Sequence, residues 1–299
     1  MSPLRQAILN TLAYFDLFDY PLTAMEVWRY LYAPGMESID FEKIFAELSS
    51  LLEEKKIETK NGFYFLCGRT EIVQIRAERY ALSFYKYRRA RFIAKLLSFI
   101  PGVKMIALGN TAAWRHSRKE SDIDFFIITA SGRIWTTRML SVFPISALGL
   151  RPQKTSSANA VCLSFYASED ALNLRQLMVE EDIYFPYWTV SIVPLCAASG
   201  IYEKFKEQNA WVRQYLPNVS FREPAKGIKK ASLVSGLIIP QIFEDMAKRI
   251  QAKLFPPQIK RLSSGGGTAV IASDQYLKFH TDDRRAEIRD KWKEKINAF

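Results

Sequence analysis

Apolar residues fall at helical spacing over residues 4–15, where Leu4, Ile8, Leu12 and Phe15 share one face, and this spacing predicts a first helix. The stretch DYPLTAMEVWRYLY then supplies a turn and a second helix start. Thr23 and Glu26 form a Ser/Thr-x-x-Glu capping box, Leu22 and Val27 stand where a hydrophobic staple closes, and the helix is expected to reach about Tyr32. A third helix after Asp40 gathers Phe41, Ile44, Phe45, Leu48, Leu51 and Leu52 on one side. Residues 57–60 and 63–66 read as short strands flanking Asn61-Gly62, the favoured pair for a two-residue hairpin.

From Glu71 to Phe99 the pattern predicts a long helix whose apolar face carries Ile72, Ile75, Leu82, Tyr85, Phe92, Ile93 and Leu96. After "IPG" comes an alternating segment: a strand over 103–108, a short helix after Gly109, a strand over 123–128, a helix around 133–146 and a strand over 160–166. Downstream the spacing reads as helical over 171–181, 187–198, 202–215 and 228–254, punctuated by Pro217, Pro256 and Pro257. SSGGG at 263–267 reads as a flexible connection and the charged last twenty residues as a surface helix. The expected class is α+β in three parts: residues 1–68, then a mixed sheet with flanking helices and a basic leading helix over 69–182, then a helical region over 183–299.

Hydrophobic residues make up 48% of the 299 and are spread along the chain, which excludes disordered and fibrous classes. The longest apolar stretch, Ala231 to Phe243, is broken by Ser235, Gly236, Pro240 and Gln241 and falls short of the ~20 residues of a membrane span. With no signal-peptide pattern at the N-terminus, the expectation is a cytoplasmic protein with no membrane partner. Cys67, Cys162 and Cys196 form no CxxC pair and lie far in sequence from His116 and His280, so they read as buried thiols and not as disulfide or zinc ligands.

The net charge of +11 is unevenly placed. Residues 1–68 hold six Lys/Arg against ten Asp/Glu, whereas 69–119 hold twelve Lys/Arg against only Glu71 and Glu78. Such a block draws a polyanion, either a nucleotide triphosphate or a nucleic acid, or else it is a solvated helix face. The candidate polyanion contacts are Arg88, Arg89, Arg91, Arg115, Arg118 and Lys119. The first three helices and hairpin resemble a winged helix-turn-helix domain, but the third helix shows Glu42, Glu47, Glu53 and Glu54 with only Lys43, which suits a protein partner better than DNA.

The densest candidate chemistry lies in GNTAAWRHSRKESDIDFFIIT, residues 109–129. Alternate residues on a strand point the same way, so Asp122 and Asp124 converge while Ile123 enters the core, and paired carboxylates of this kind suit a hard divalent ion. Gly109 ends an apolar strand, where a missing Cβ allows a tight turn and close phosphate approach, and the next helix start offers N–H donors to an anion. This strand–glycine–Asp-x-Asp arrangement resembles the nucleotidyltransferase superfamily of the DNA polymerase beta type. The resemblance implies two Mg²⁺ ions on Asp122 and Asp124, phosphate contacts from Gly109, Asn110 and Ser121, and transfer of a nucleoside monophosphate from an NTP to a hydroxyl on RNA, a protein or a small molecule. Its alternative is a catalytically lapsed relative acting as a nucleotide sensor, a nucleic-acid-binding regulator or an antitoxin-like partner.

Two departures accompany the resemblance. Asn110 stands where the family has a small hydroxyl residue, and the next strand, AVCLSFY, offers Ser164 where a third carboxylate is usual. Glu169 and Asp170, just past that strand, read as caps of the next helix, His116 as an exposed loop residue, and His280 with Asp282 and Asp283 as a solvated helix start. Trp188, Trp211 and Trp292 read as core or interface residues.

Overall fold

The computed structural model describes residues 2–152, 158–224 and 240–299. Three helices, α1 (Pro3–Asp16), α2 (Ala24–Arg29) and α3 (Phe41–Glu53), alternate with a small sheet of β1 (Leu22–Thr23), β2 (Ile57–Lys60) and β3 (Phe63–Leu66) in the antiparallel order β1-β3-β2. The capping box forms: the Thr23 hydroxyl accepts from the Glu26 N–H while the Glu26 carboxylate accepts from the Thr23 N–H at 2.9 Å. Asn61 and Gly62 both take positive φ, as the two-residue hairpin turn requires.

The long helix α4 (Ile72–Leu97) leads into the main body. There β4 (Val103–Leu108), the one-turn α5 (Asn110–Ala113), β5 (Ile123–Thr129), α6 (Ile134–Ala147) and β6 (Val161–Ser168) follow in order, with β5 parallel to β6 and antiparallel to β4. The chain continues through α7 (Tyr184–Ser191), β7 (Val193–Ala197), α8 (Ile201–Gln208), α9 (Gln241–Leu254), α10 (Pro257–Ser264), β8 (Val270–Ala272), β9 (Tyr276–Phe279) and α11 (Arg285–Ile296). The six-stranded mixed sheet has the order β7-β4-β5-β6-β9-β8. One of its faces packs Met105, Ala107, Phe126, Ile128 and Phe165 against the N-terminal helices and α7. Its other face packs Ile106, Leu108, Ile127 and Leu163 against α4, α6 and α9. Among the described residues no helix is long and apolar enough to cross a membrane.

The C-terminal third departs from the helical expectation at identifiable points. Residues 193–197 are an edge strand and not helix: Pro194 cannot donate an intrahelical bond, and an edge strand tolerates it. Over 171–181 only one turn, Arg175–Leu177, is helical. There the side chains of Asn209 and Asp182 take the backbone bonds a helix would make, through Leu174 N–H, Leu172 C=O and Val179 N–H. The segment 202–215 breaks at Asn209 into α8 and a short turn at Ala210–Gln214. Of the helix expected over 228–254, residues 241–254 are helical and 228–239 lie outside the described residues. The hairpin of β8 and β9 was not foreseen, and it adds two strands beyond β6.

Ion pairs join α4 to the N-terminal unit. Arg76 reaches both Glu26 oxygens, at 2.7 and 2.8 Å, and lies over the Tyr20 ring, while Arg69 bonds Asp16 and Asp19. Burial alone would raise the Glu26 pKa, but the Arg76 guanidinium and the Thr23 N–H outweigh it, and the pKa is lowered. A depressed carboxylate pKa contributes stability above its ordinary range and loses it as pH falls through the folded value. Glu26→Gln is therefore expected to cost about 1–2 kcal/mol at pH 7, seen as a lower Tm of roughly 2–4 °C per kcal/mol. The deficit should shrink in acid, and an equal deficit at both pH values would exclude the ion pair as its source.

Candidate functional site

Asp122 and Asp124 sit at the start of β5, on the sheet face that carries Phe126, and border a cavity of about 670 Å³. Oxygens of the two carboxylates and the Cys162 Sγ all lie within 4.8 Å of one another. Cys162 pairs with Asp124 across the parallel strands. Beyond it β6 carries an extra residue relative to β5, Phe126 pairing with Phe165, and this bulge accompanies Ser164 and Phe165 both lining the cavity. The expectation of three buried thiols holds only for Cys196: Cys67 is exposed, and Cys162 is part of the site.

Among the described residues no opposite charge is in contact with the carboxylates. Burial, and then the charge of Asp122, push the Asp124 pKa up to about 7, and burial raises that of Asp122. Burial and the same two carboxylates push the Cys162 thiol well up, so it stays an S–H donor, and it bonds the Ser164 hydroxyl at 3.2 Å. Asn110 supports Asp124 with a side-chain hydrogen bond. Its own Oδ1 accepts from Trp188 Nε1 at 2.9 Å and from the Tyr184 hydroxyl at 3.2 Å, so α7 fixes which way the amide points.

The turn differs from its expected chemistry. Gly109 is extended, and an added Cβ would meet Trp188 at 3.6 Å in ordinary contact, so neither the turn nor close approach requires glycine there. The left-handed residue is Asn110, at φ 49°, a conformation asparagine tolerates better than most. Ser121 lines the cavity and bonds Lys86, whose buried ammonium also reaches the Arg118 carbonyl at 2.6 Å and the Ser121 carbonyl. Lys86 thus clamps the loop that leads into Asp122.

The proposed polyanion contacts are not gathered. Arg118 lines the cavity. Arg115 stacks on Tyr80 and Tyr87, Arg89 bonds the Asn159 carbonyl, Arg88 and Arg91 are exposed on α4, and Lys119 is exposed on the loop. His116 is buried and not exposed: its Nε2 lies 2.9 Å from the Phe18 carbonyl and beside the Arg79 guanidinium. His280 is not part of a solvated helix start: β9 carries it beside β6, where its Nε2 meets the Ser164 hydroxyl at 2.9 Å, facing the cavity. Asp283 does serve the start of α11, through Arg285. Glu169 sits at the opposite end of β6, near Ser131 and Lys104, far from the pair. Trp188, Trp211 and Trp292 are buried, and Trp188 also lines the cavity. The Asp-x-Asp pattern led to this site; Cys162 and His280 carried no local signal, and only strand pairing brings them there.

Comparison with family models, with curated proteins and with solved structures finds no match.

A raised carboxylate pKa means that the folded chain holds a proton the unfolded chain has released, so stability falls as pH rises from about 4 towards 7. Asp124→Asn is expected to raise the Tm of the cation-free protein at pH 8 by several degrees and to change it little at pH 4. A lower Tm at pH 8 would mean that the charged pair is not under strain.

Proposed function

We propose that the cavity binds a nucleoside triphosphate with Mg²⁺ on Asp122 and Asp124, and that the chain transfers the nucleoside monophosphate to a hydroxyl acceptor while pyrophosphate leaves. The observation that carries this reading is the pair itself, two convergent carboxylates beside a cavity large enough for a nucleotide. The donor set fits: Mg²⁺ takes oxygen ligands and is commonly held by one or two carboxylates together with substrate phosphates, and the protonated Cys162 does not compete as a ligand. When bound, the ion would neutralise triphosphate charge and polarise the phosphorus under attack. No third carboxylate stands with the pair among the described residues, so this reading rests on one protein-held ion rather than two.

The chain's own residues supply the remaining functions. Asn110, fixed by Tyr184 and Trp188, orients Asp124, and Arg118 adds positive charge at the cavity for phosphates. Burial, with Lys278 next, lowers the His280 pKa to about 4, so at pH 7 it is neutral, a hydrogen-bond relay and not a strong base. Through the Ser164 hydroxyl it offers a route for the acceptor's proton. The N-terminal unit supports a winged-helix-like reading by its element order and small sheet, and the acidic Glu42 and Glu53 exposed on α3 favour protein contact over DNA there. A cytoplasmic setting, where MgNTP is abundant, accords with this chemistry.

A second reading, a nucleotide-binding regulator without turnover, is favoured by one observation: the strand beside the pair presents Cys162 and Ser164 instead of a carboxylate. Calorimetry with MgATP and MgGTP tests the shared part. Mg²⁺-dependent affinity is expected to fall at least about tenfold in Asp122→Asn and in Asp124→Asn, the loss of one ion ligand; unchanged affinity in both would remove the site. Pyrophosphate release in the presence of RNA then separates the readings. Release that is lost in His280→Ala, with MgNTP binding retained, supports transfer; binding with no release supports the regulator.

A further inference from the structure

Helices α4, α6 and α9 cover the sheet face opposite the aspartate pair, and the outer side of this layer is apolar. Phe84 and Phe92 of α4 are 65% and 64% exposed, Phe143 of α6 is 73% exposed, and Ile242 and Leu254 of α9 are 72% and 76% exposed. The spacing places them in stripes: 84, 88, 92 and 95 share one side of α4, and 242, 246, 249, 250, 253 and 254 one side of α9. α6 packs along α9, and its first turn meets the loop that follows α4, where the Thr137 hydroxyl donates to the Pro101 carbonyl. Apolar exposure spread over three helices that cover one face of the sheet marks an interaction surface.

Charge identifies the partner. The same stripes carry Arg88 and Lys95 on α4 and Arg249 and Lys253 on α9. No Asp or Glu occurs between Glu78 and Glu120, or between Asp124 and Glu169. On α9, Glu244 is buried, capping the first turn of α6 through the Trp135 and Thr136 N–H groups, which leaves Asp245 as the exposed acid of that helix. We infer that this face docks on an anionic lipid surface, the three helices lying in the plane of the interface with their apolar side chains among the acyl chains and the Lys/Arg groups at the headgroups. A second copy docked symmetrically would stack like charges against one another. Nucleic acid would use the cations and rings but leave the aliphatic Leu96, Ile242 and Leu254 without a role. The inference does not depend on the nucleotide reading, because the two surfaces lie on opposite faces of the sheet.

Sedimentation of the full chain with vesicles tests it. Binding is expected to vesicles of phosphatidylcholine mixed with phosphatidylserine, weakly or not at all to phosphatidylcholine alone, and to weaken with salt. The variant Phe92→Ser, Phe143→Ser, Ile242→Ser, Leu254→Ser and the variant Arg88→Gln, Lys95→Gln, Arg249→Gln, Lys253→Gln should each lose about tenfold or more in vesicle affinity. Both sets are exposed, and an unchanged thermal midpoint confirms folding; the charge variant decides the matter if the apolar one does not fold. No binding to either vesicle, or equal binding to both, overturns the inference. So does a concentration-dependent dimer that only the apolar variant abolishes, or an RNA affinity lost in the charge variant without vesicle binding in the parent protein.

Discussion

Two half-buried carboxylates one residue apart on a strand end, with no cation in contact among the described residues, form the constraint around which the site is built. At this separation and an effective dielectric near 20, their repulsion is on the order of 3–4 kcal/mol, a cost the fold offsets with geometry. Asn110 turns its amide toward Asp124, Trp188 and Tyr184 hold that amide from the far side, and Cys162 stays protonated and donates. Each of these groups softens the repulsion and none removes it. Such an imbalance is what the proposed Mg²⁺ would relieve.

The loop before Asp122 shows the same economy. Lys86 lies on the buried side of α4 and spends its ammonium on the carbonyls of Arg118 and Ser121, close enough to Asp122 to be felt but committed to the backbone. It therefore positions the strand entry without neutralising the pair. Upstream, Arg69 just before the helix and Arg76 and Arg79 on it are engaged by Asp16, Asp19 and Glu26 of the N-terminal unit. The basic block of residues 69–119 thus includes arginines that fasten two parts of the chain together, a buried lysine that braces a loop, exposed cations farther along α4, and Arg115, Arg118 and Lys119 on the loop before Asp122. Summed charge along a sequence cannot separate them, because the separation depends on which side of a helix meets which acid.

Features governed by neighbours in sequence were legible. The capping box at Thr23 and Glu26, the Asn61-Gly62 turn and the Asp-x-Asp strand each obey rules spanning a few residues, and each is found where the pattern places it. The misses are nonlocal. Residues 171–181 have helical spacing, yet Asn209, distant in sequence, claims the backbone groups that a helix would need. Residues 193–197 continue an apolar run until Pro194 and pairing with β4 make them an edge strand. Cys162 looked like an unremarkable thiol because its importance comes from standing opposite Asp124, and strand register cannot be read from one strand alone.

His280 carries this reasoning furthest. Its flanking acids gave it the look of a surface residue, but the unforeseen pairing of β9 with β6 carries it to Ser164, at the position along the sheet where the aspartates lie. The same hairpin contributes Leu277 to the opposite face, under the layer of α4, α6 and α9. One short strand therefore serves the polar cavity on one side and the core beneath the exposed apolar layer on the other. Because strand residues alternate between faces, a change in β9 register would exchange these roles and remove the histidine from the cavity. The side chains that make the site complete are thus set by the sheet's long-range pairing, whereas the aspartates that begin it are set by a three-residue pattern.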